Sequence, residues 1–157
     1  MILIILIPFS IHLIKMINYI YTMISIINNL NINPQHFFVL FIILFSIDFF
    51  FISYVLGPIF GENVKNIQGT KMEVKKLPAA FAWFCTVFSL YYFIIRENKS
   101  EFEAAILGFI AYGIFDGTNL AIFKKYSLKT FFVDILWGTS LFFISTLIFN
   151  SIRKYLS

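Results

Sequence analysis

Lysine, arginine and histidine are missing from the four longest apolar stretches of this chain, and charge of either sign is scarce elsewhere, at 13% of 157 residues. So few charges cannot cover a water-facing surface. With 60% hydrophobic residues, the composition excludes a soluble domain and reads as an integral membrane protein. Cysteine is nearly absent: Cys85 stands alone, so no intrachain disulfide can form. The two histidines, His12 and His36, are isolated, and neither completes a metal-ligand spacing. There is no Gly-rich phosphate loop, no nucleophile elbow and no His pair at i, i+4. No metal or other cofactor is therefore expected, and a non-enzymatic role is favoured. A net charge of +4 is too small and too dispersed for a nucleic-acid partner.

What the chain does have is length in apolar runs. At 1.5 Å per residue, about 30 Å of hydrocarbon takes roughly 20 residues. Four segments qualify: Phe37 to Leu56, Ala79 to Ile95, Ala104 to Phe123 and Thr130 to Phe149. Pro78 suits the start of the second, where its missing N–H needs no partner, and Pro58 is expected to end the first. The link KKYSLK between the third and fourth is so short that these helices must be antiparallel neighbours, with Ser127 as N-cap of the fourth. The fold class is all-α: an antiparallel four-helix transmembrane bundle over residues 37–157, in contact with the lipid bilayer. Residues 1–36 form an N-terminal hydrophobic extension with three readings: a fifth span, an interfacial helix, or translation assigned too early, with Met16 or Met23 as the start. Pro8, His12 and Lys15 fall where the middle of a fifth span would be, and a signal peptide lacks its basic n-region and small-residue cleavage site.

Lysines are unevenly shared between the loops. Lys65, Lys71, Lys75 and Lys76 lie in loop 57–78, and Lys124, Lys125 and Lys129 in loop 124–129. The opposite face carries Arg96 and Lys99 among Glu97, Glu101 and Glu103. The positive-inside rule predicts the lysine loops in the cytoplasm and the C-terminus, despite Arg153 and Lys154, on the other side.

Against this background three aspartates stand inside the spans: Asp48, Asp116 and Asp134. Each costs about 2.5–3.5 kcal/mol near the bilayer centre on insertion scales. Counted from the lysine-bearing ends they lie about 12, 10 and 6 Å deep, in one layer of the cytoplasmic half. No basic residue in the spans can neutralise them, so they are expected to be protonated, hydrogen-bonded or occupied by a cation. Helical spacing puts Tyr112, Asp116 and Asn119 on one face of the third span, and Asp134, Trp137 and Gly138 on one face of the fourth. Cys85, Ser89 and Tyr92 make a weakly polar stripe on the second, with Trp83 and Thr86 near the depth of the acids. Lys124, Lys125 or Lys129 can snorkel toward Asp134. Trp83 and Trp137 read as packing or interfacial anchors.

Gly113, Gly117 and Ala121 recur every four residues, a ladder that lets another backbone approach, and Ala104 and Gly108 form a second small pair. Asp116 and Gly117 also spell a turn dipeptide. Three readings of Asp116 follow: a break in the third span with its carboxylate capping the second half-helix, a buried hydrogen-bonding group, or direct contact with an ion, proton or substrate.

The stretch AAILGFIAYGIFDGTNLAIFKKYSLKTFFVDILWG resembles the signature of the small multi-pass membrane proteins known as domain of unknown function 2177. That signature is a YDLTN-like element followed by D-x-x-WG, matched here by Tyr112, Asp116, Thr118 and Asn119, then by Asp134, Trp137 and Gly138. Phe115 and Gly117 depart from it. The resemblance covers about Phe37 to Phe149 and implies a four-helix membrane domain, with no activity attached.

Three functions are weighed. The first is a small carrier or channel whose Asp layer binds a cation or proton, working as a homo-oligomer through the glycine face. The second is an intramembrane lipid-modifying enzyme with two carboxylates as acid and base. The third is a structural or assembly component of a cellular or viral membrane.

Overall fold

The computed structural model describes residues 14–22, 25, 30 and 32–156, and among these there is no strand. They fall into two compact units, Met1–Asn33 and Pro34–Ser157. In the first, residues 14–22 are helical and exposed. The segments that would decide between a fifth span, an interfacial helix and a late start lie outside the described residues.

The second unit contains four helices long and apolar enough to cross a membrane: α1, Pro34–Gln68; α2, Lys76–Ile95; α3, Glu101–Ile122; and α4, Leu128–Arg153. The caps follow local sequence. Ser100 and Glu103 form a reciprocal capping box at the start of α3, and Ser127 accepts from the Thr130 N–H at the start of α4, as its position predicts. Gly69 ends α1 at φ 79°, a left-handed conformation that glycine adopts without steric cost, and its N–H donates to the Lys65 carbonyl.

Pro58 does not end the first helix. A π-helical turn at Ile52–Leu56 loosens α1, the Gly57 N–H reaches back to the Ile52 carbonyl, and the helix resumes through Gly57–Gln68. Pro58 then sits in the first turn of the resumed segment, where a missing N–H is harmless. Gly57 is required at that turn, because a Cβ there would lie 2.8 Å from the Ile52 carbonyl oxygen. A π-turn holds one extra residue, so the faces beyond it are rotated by about 100°. This aims Asn63 inward, where it is 2% exposed and its side-chain oxygen accepts from the Ser127 N–H at 2.9 Å. At 35 residues α1 is about 52 Å long, well over the ~30 Å of hydrocarbon.

α3 packs along α4, α4 against α1, and α1 against α2, while α2 and α3 do not pack along each other although they are joined by a short loop. Leu40 and Leu44 of α1, Val87 and Leu90 of α2, and Leu141, Phe142 and Phe149 of α4 are fully buried between them. Phe50, Phe81, Phe102, Ile114 and Phe132 are mostly exposed, as lipid-facing residues should be. Away from the lysine loops, Arg153 donates to the Asn98 side chain and the Ile95 carbonyl, and Asn150 donates to Glu101 at 2.8 Å. These bonds hold the α2–α3 loop to the end of α4.

The small residues of α3 divide into two groups. At Gly108 an added Cβ would lie 2.5 Å from the Gly138 carbonyl oxygen and 3.0 Å from Phe142, so this is where the α3 and α4 backbones meet. At Gly138 it would run into the Tyr112 ring. Gly113 and Gly117 face open space and Ala121 is exposed, so the ladder itself packs on nothing among the described residues. α3 is also unbroken at Asp116–Gly117, which overturns the half-helix reading: a glycine alone does not interrupt a helix whose hydrogen bonds are sheltered from water.

Candidate functional site

Phe45, Asp48 and Phe51 lie three residues apart on α1 and share one face. Phe45 packs edge-on against Trp83 of α2, with ring centroids 4.6 Å apart, and Phe51 stacks on Trp137 of α4 at 3.5 Å. The phenylalanines thereby orient both indoles toward the carboxylate between them. Trp83 Nε1 donates to Asp48 Oδ2 at 2.6 Å and Trp137 Nε1 to Asp48 Oδ1 at 2.9 Å. One acid, 4% exposed, thus ties α1 to both of its neighbours. The tryptophans are carboxylate donors rather than interfacial anchors. The sequence carries a signal for this, since an indole has one N–H that seeks an acceptor when buried, and at that depth the spans offer few acceptors besides acids.

Asp116 is fully buried on α3 and accepts from the Tyr126 hydroxyl at 2.5 Å. Tyr126 lies in the α3–α4 loop, where burial, then the hydrogen bond to Asp116, raises its phenol above the usual range. Asn119 reaches the same hydroxyl. The Asp116 carboxyl also pairs with that of Asp134. Replacing Tyr126 by Phe should cost about 1.5–3 kcal/mol, the value of a hydrogen bond to a charged acceptor, and should be measurable as a loss of thermal stability in detergent. No loss would show that Asp116 does not depend on this donor.

Asp134 of α4, 5% exposed, lies between the other two acids and interacts electrostatically with both. Tyr112 is within electrostatic reach of all three carboxyls. Lys124, Lys125 and Lys129 are exposed and none pairs with Asp134; the snorkelling expected of them does not occur, because water beyond the loop solvates them better. Thr118 is exposed on the outside of α3, apart from this cluster.

Two cavities meet Asp48 and Asp134, and Asp116 lines neither. One, of about 280 Å³, is lined by Asp48, Tyr112, Asp134 and Trp137 together with Phe60 of α1 and Met72 and Val74 of the lysine-bearing loop. The other, of about 430 Å³, runs between α2 and α3 and shares Asp48, Val74, Tyr112 and Asp134 with the first. Among the described residues no group of three His, Cys, Asp or Glu side chains is arranged to hold a metal ion, so the three carboxyls do not converge on one point.

Residues 34–149 match the family of predicted membrane proteins DUF2177. The chain belongs to this family. No curated protein and no solved structure matches the chain. In this DUF2177 member the two elements of the motif meet where Tyr112 packs over Gly138 and Asp116 pairs with Asp134, while Trp137 turns toward Asp48 of α1. Trp137 within the motif and Trp83 and Tyr126 outside it supply the donors.

Proposed function

We propose that the protein is a small membrane carrier or channel whose layer of Asp48, Asp116 and Asp134, with Tyr112 and Asn119 beside it, binds a proton or cation. The observation that carries this is that Asp48 and Asp134 line cavities reaching the lysine-bearing loop, with Asp116 buried beside Asp134 and no basic side chain among the lining residues. Intramembrane acids in such a setting mark ion and substrate pathways. Asp48 is held by its indoles and Asp116 by Tyr126, which leaves Asp134 as the acid able to exchange what it binds. In this reading loops 57–78 and 124–129 face the cytoplasm, the C-terminus faces the other side, and the protein self-associates through Gly113, Gly117 and Ala121.

Flux in proteoliposomes tests the proposal, using a pH-sensitive dye for protons and labelled rubidium for cations. Asp134→Asn is expected to reduce the rate at least tenfold and Asp48→Asn to a similar extent. Equal rates in wild type and both variants, or none in any, would sink it.

The opening between α2 and α3 favours one second reading, a lipid-modifying enzyme with Asp116 and Asp134 as acid and base. Lipid turnover in vesicles without any ion gradient, lost in Asp116→Asn, is its expected result. Unchanged lipid composition after prolonged incubation rules it out.

A further inference from the structure

The larger cavity has a construction that the carrier reading alone does not explain. On α2 its wall is Ala79, Ala82, Trp83 and Thr86, at i, i+3, i+4 and i+7, one helical face whose small residues leave room. On α3 the wall is Ala111, Tyr112 and Phe115. These two helices do not pack along each other, so the cleft opens sideways toward lipid as well as toward the lysine loop. Asp134 lies in its wall, 5% exposed, hydrogen-bonded with the Asp116 carboxyl and within electrostatic reach of Asp48; among the described residues no N–H donor bonds to it. A buried group of carboxyls with no basic partner favours a positive charge brought from outside. Apart from Asp48 and Thr86 the remaining lining is apolar or aromatic, which would waste the hydration energy of a small inorganic ion but suits a weakly hydrated charge attached to hydrocarbon.

We propose that this cleft takes an organic cation with an apolar body, its charge at Asp134 and its body against Trp83, Tyr112 and Phe115, entering between α2 and α3. The inference rests on the carrier reading and names its substrate class. The aromatic faces offer the cation a second attraction beyond the carboxylate, and the volume of about 430 Å³ accommodates a single-ring ammonium.

Binding of labelled benzyltrimethylammonium to the full chain in nanodiscs tests it. This cation carries its charge at every pH, so a neutral form cannot account for uptake. Expected are saturable binding, displacement by the unlabelled cation but not by rubidium or by neopentylbenzene, the uncharged carbon isostere, and at least tenfold weaker binding in Asp134→Asn. Ala82→Phe, which fills the cleft from an exposed position without touching an acid, is expected to weaken binding equally, with size exclusion showing that both variants stay folded. Displacement by the neutral isostere, or unchanged affinity in both variants, overturns the proposal. Proton or rubidium flux without organic-cation binding overturns it while sparing the carrier reading, and the absence of all three removes the two together.

Discussion

Valine at Gly108 or Gly138 should be the most damaging single substitution in the bundle, at about 3 kcal/mol or more, the upper end of overpacking costs. At Gly108 the obstacle is the Gly138 backbone carbonyl, which cannot rotate away, so α3 and α4 must separate. At Gly138 the obstacle is the base of the Tyr112 ring, so the same separation also displaces the tyrosine that all three carboxyls face. Gly113→Ala and Gly117→Ala point into open space and should be neutral or gain about 0.5–1 kcal/mol of helix propensity. Unfolding in mixed micelles, followed by circular dichroism, measures the difference in sign between the two pairs. Equal losses at all four positions would mean that α3 and α4 do not meet at Gly108. Gly117→Leu adds a check on the proposed self-association through this face: it should leave the fold intact and abolish any oligomer.

Phenylalanine at both Trp83 and Trp137 should destabilise the bundle by about 3 kcal/mol. Each indole–carboxylate bond is taken at about 1.5 kcal/mol, where the low end for charged acceptors meets the high end measured between membrane helices. The ring volume is largely kept, so lost packing adds little. Adding Asp48→Leu to the double variant should recover most of the loss, because no buried carboxylate is then left without a donor. The triple variant should be stable and inactive in flux. Absence of recovery would mean that the indoles act by packing alone.

Recovery by leucine also bears on why Asp48 is there. It would show that an apolar residue serves the fold at that position as well, and would support the proposed binding role of the acid. The same contrast separates function from structure at Asp116, whose Tyr126 donor comes from a loop that Asn63 fastens to the extension of α1.

Much of this site was legible in order of chain position. The placement of three acids inside apolar spans is read directly from the chain, and the faces of α3 and α4 follow from spacing of three and four. The donors were harder to read. Trp83 is 35 residues from Asp48 and Trp137 is 89 away, separations at which nothing in local sequence selects a partner. The continuation of α1 past Pro58 was hidden for a different reason: a π-turn depends on packing along the whole helix and leaves no mark beyond Gly57–Pro58 themselves.

The class of protein, four apolar spans, the ends of α3 and α4 and the presence of an acidic layer are determined by the sequence alone. All of them rest on local quantities: transfer free energy of a 20-residue window, side-chain capping and helical rise. The order of helices around the bundle, the contact at Gly108 and Gly138 in place of the glycine ladder, the tryptophan clamp and the opening between α2 and α3 were decided only by tertiary structure. Lipid tails are as apolar as leucine, so hydropathy does not say which side of a membrane helix faces protein. That choice is made by the fit of one helix surface against another.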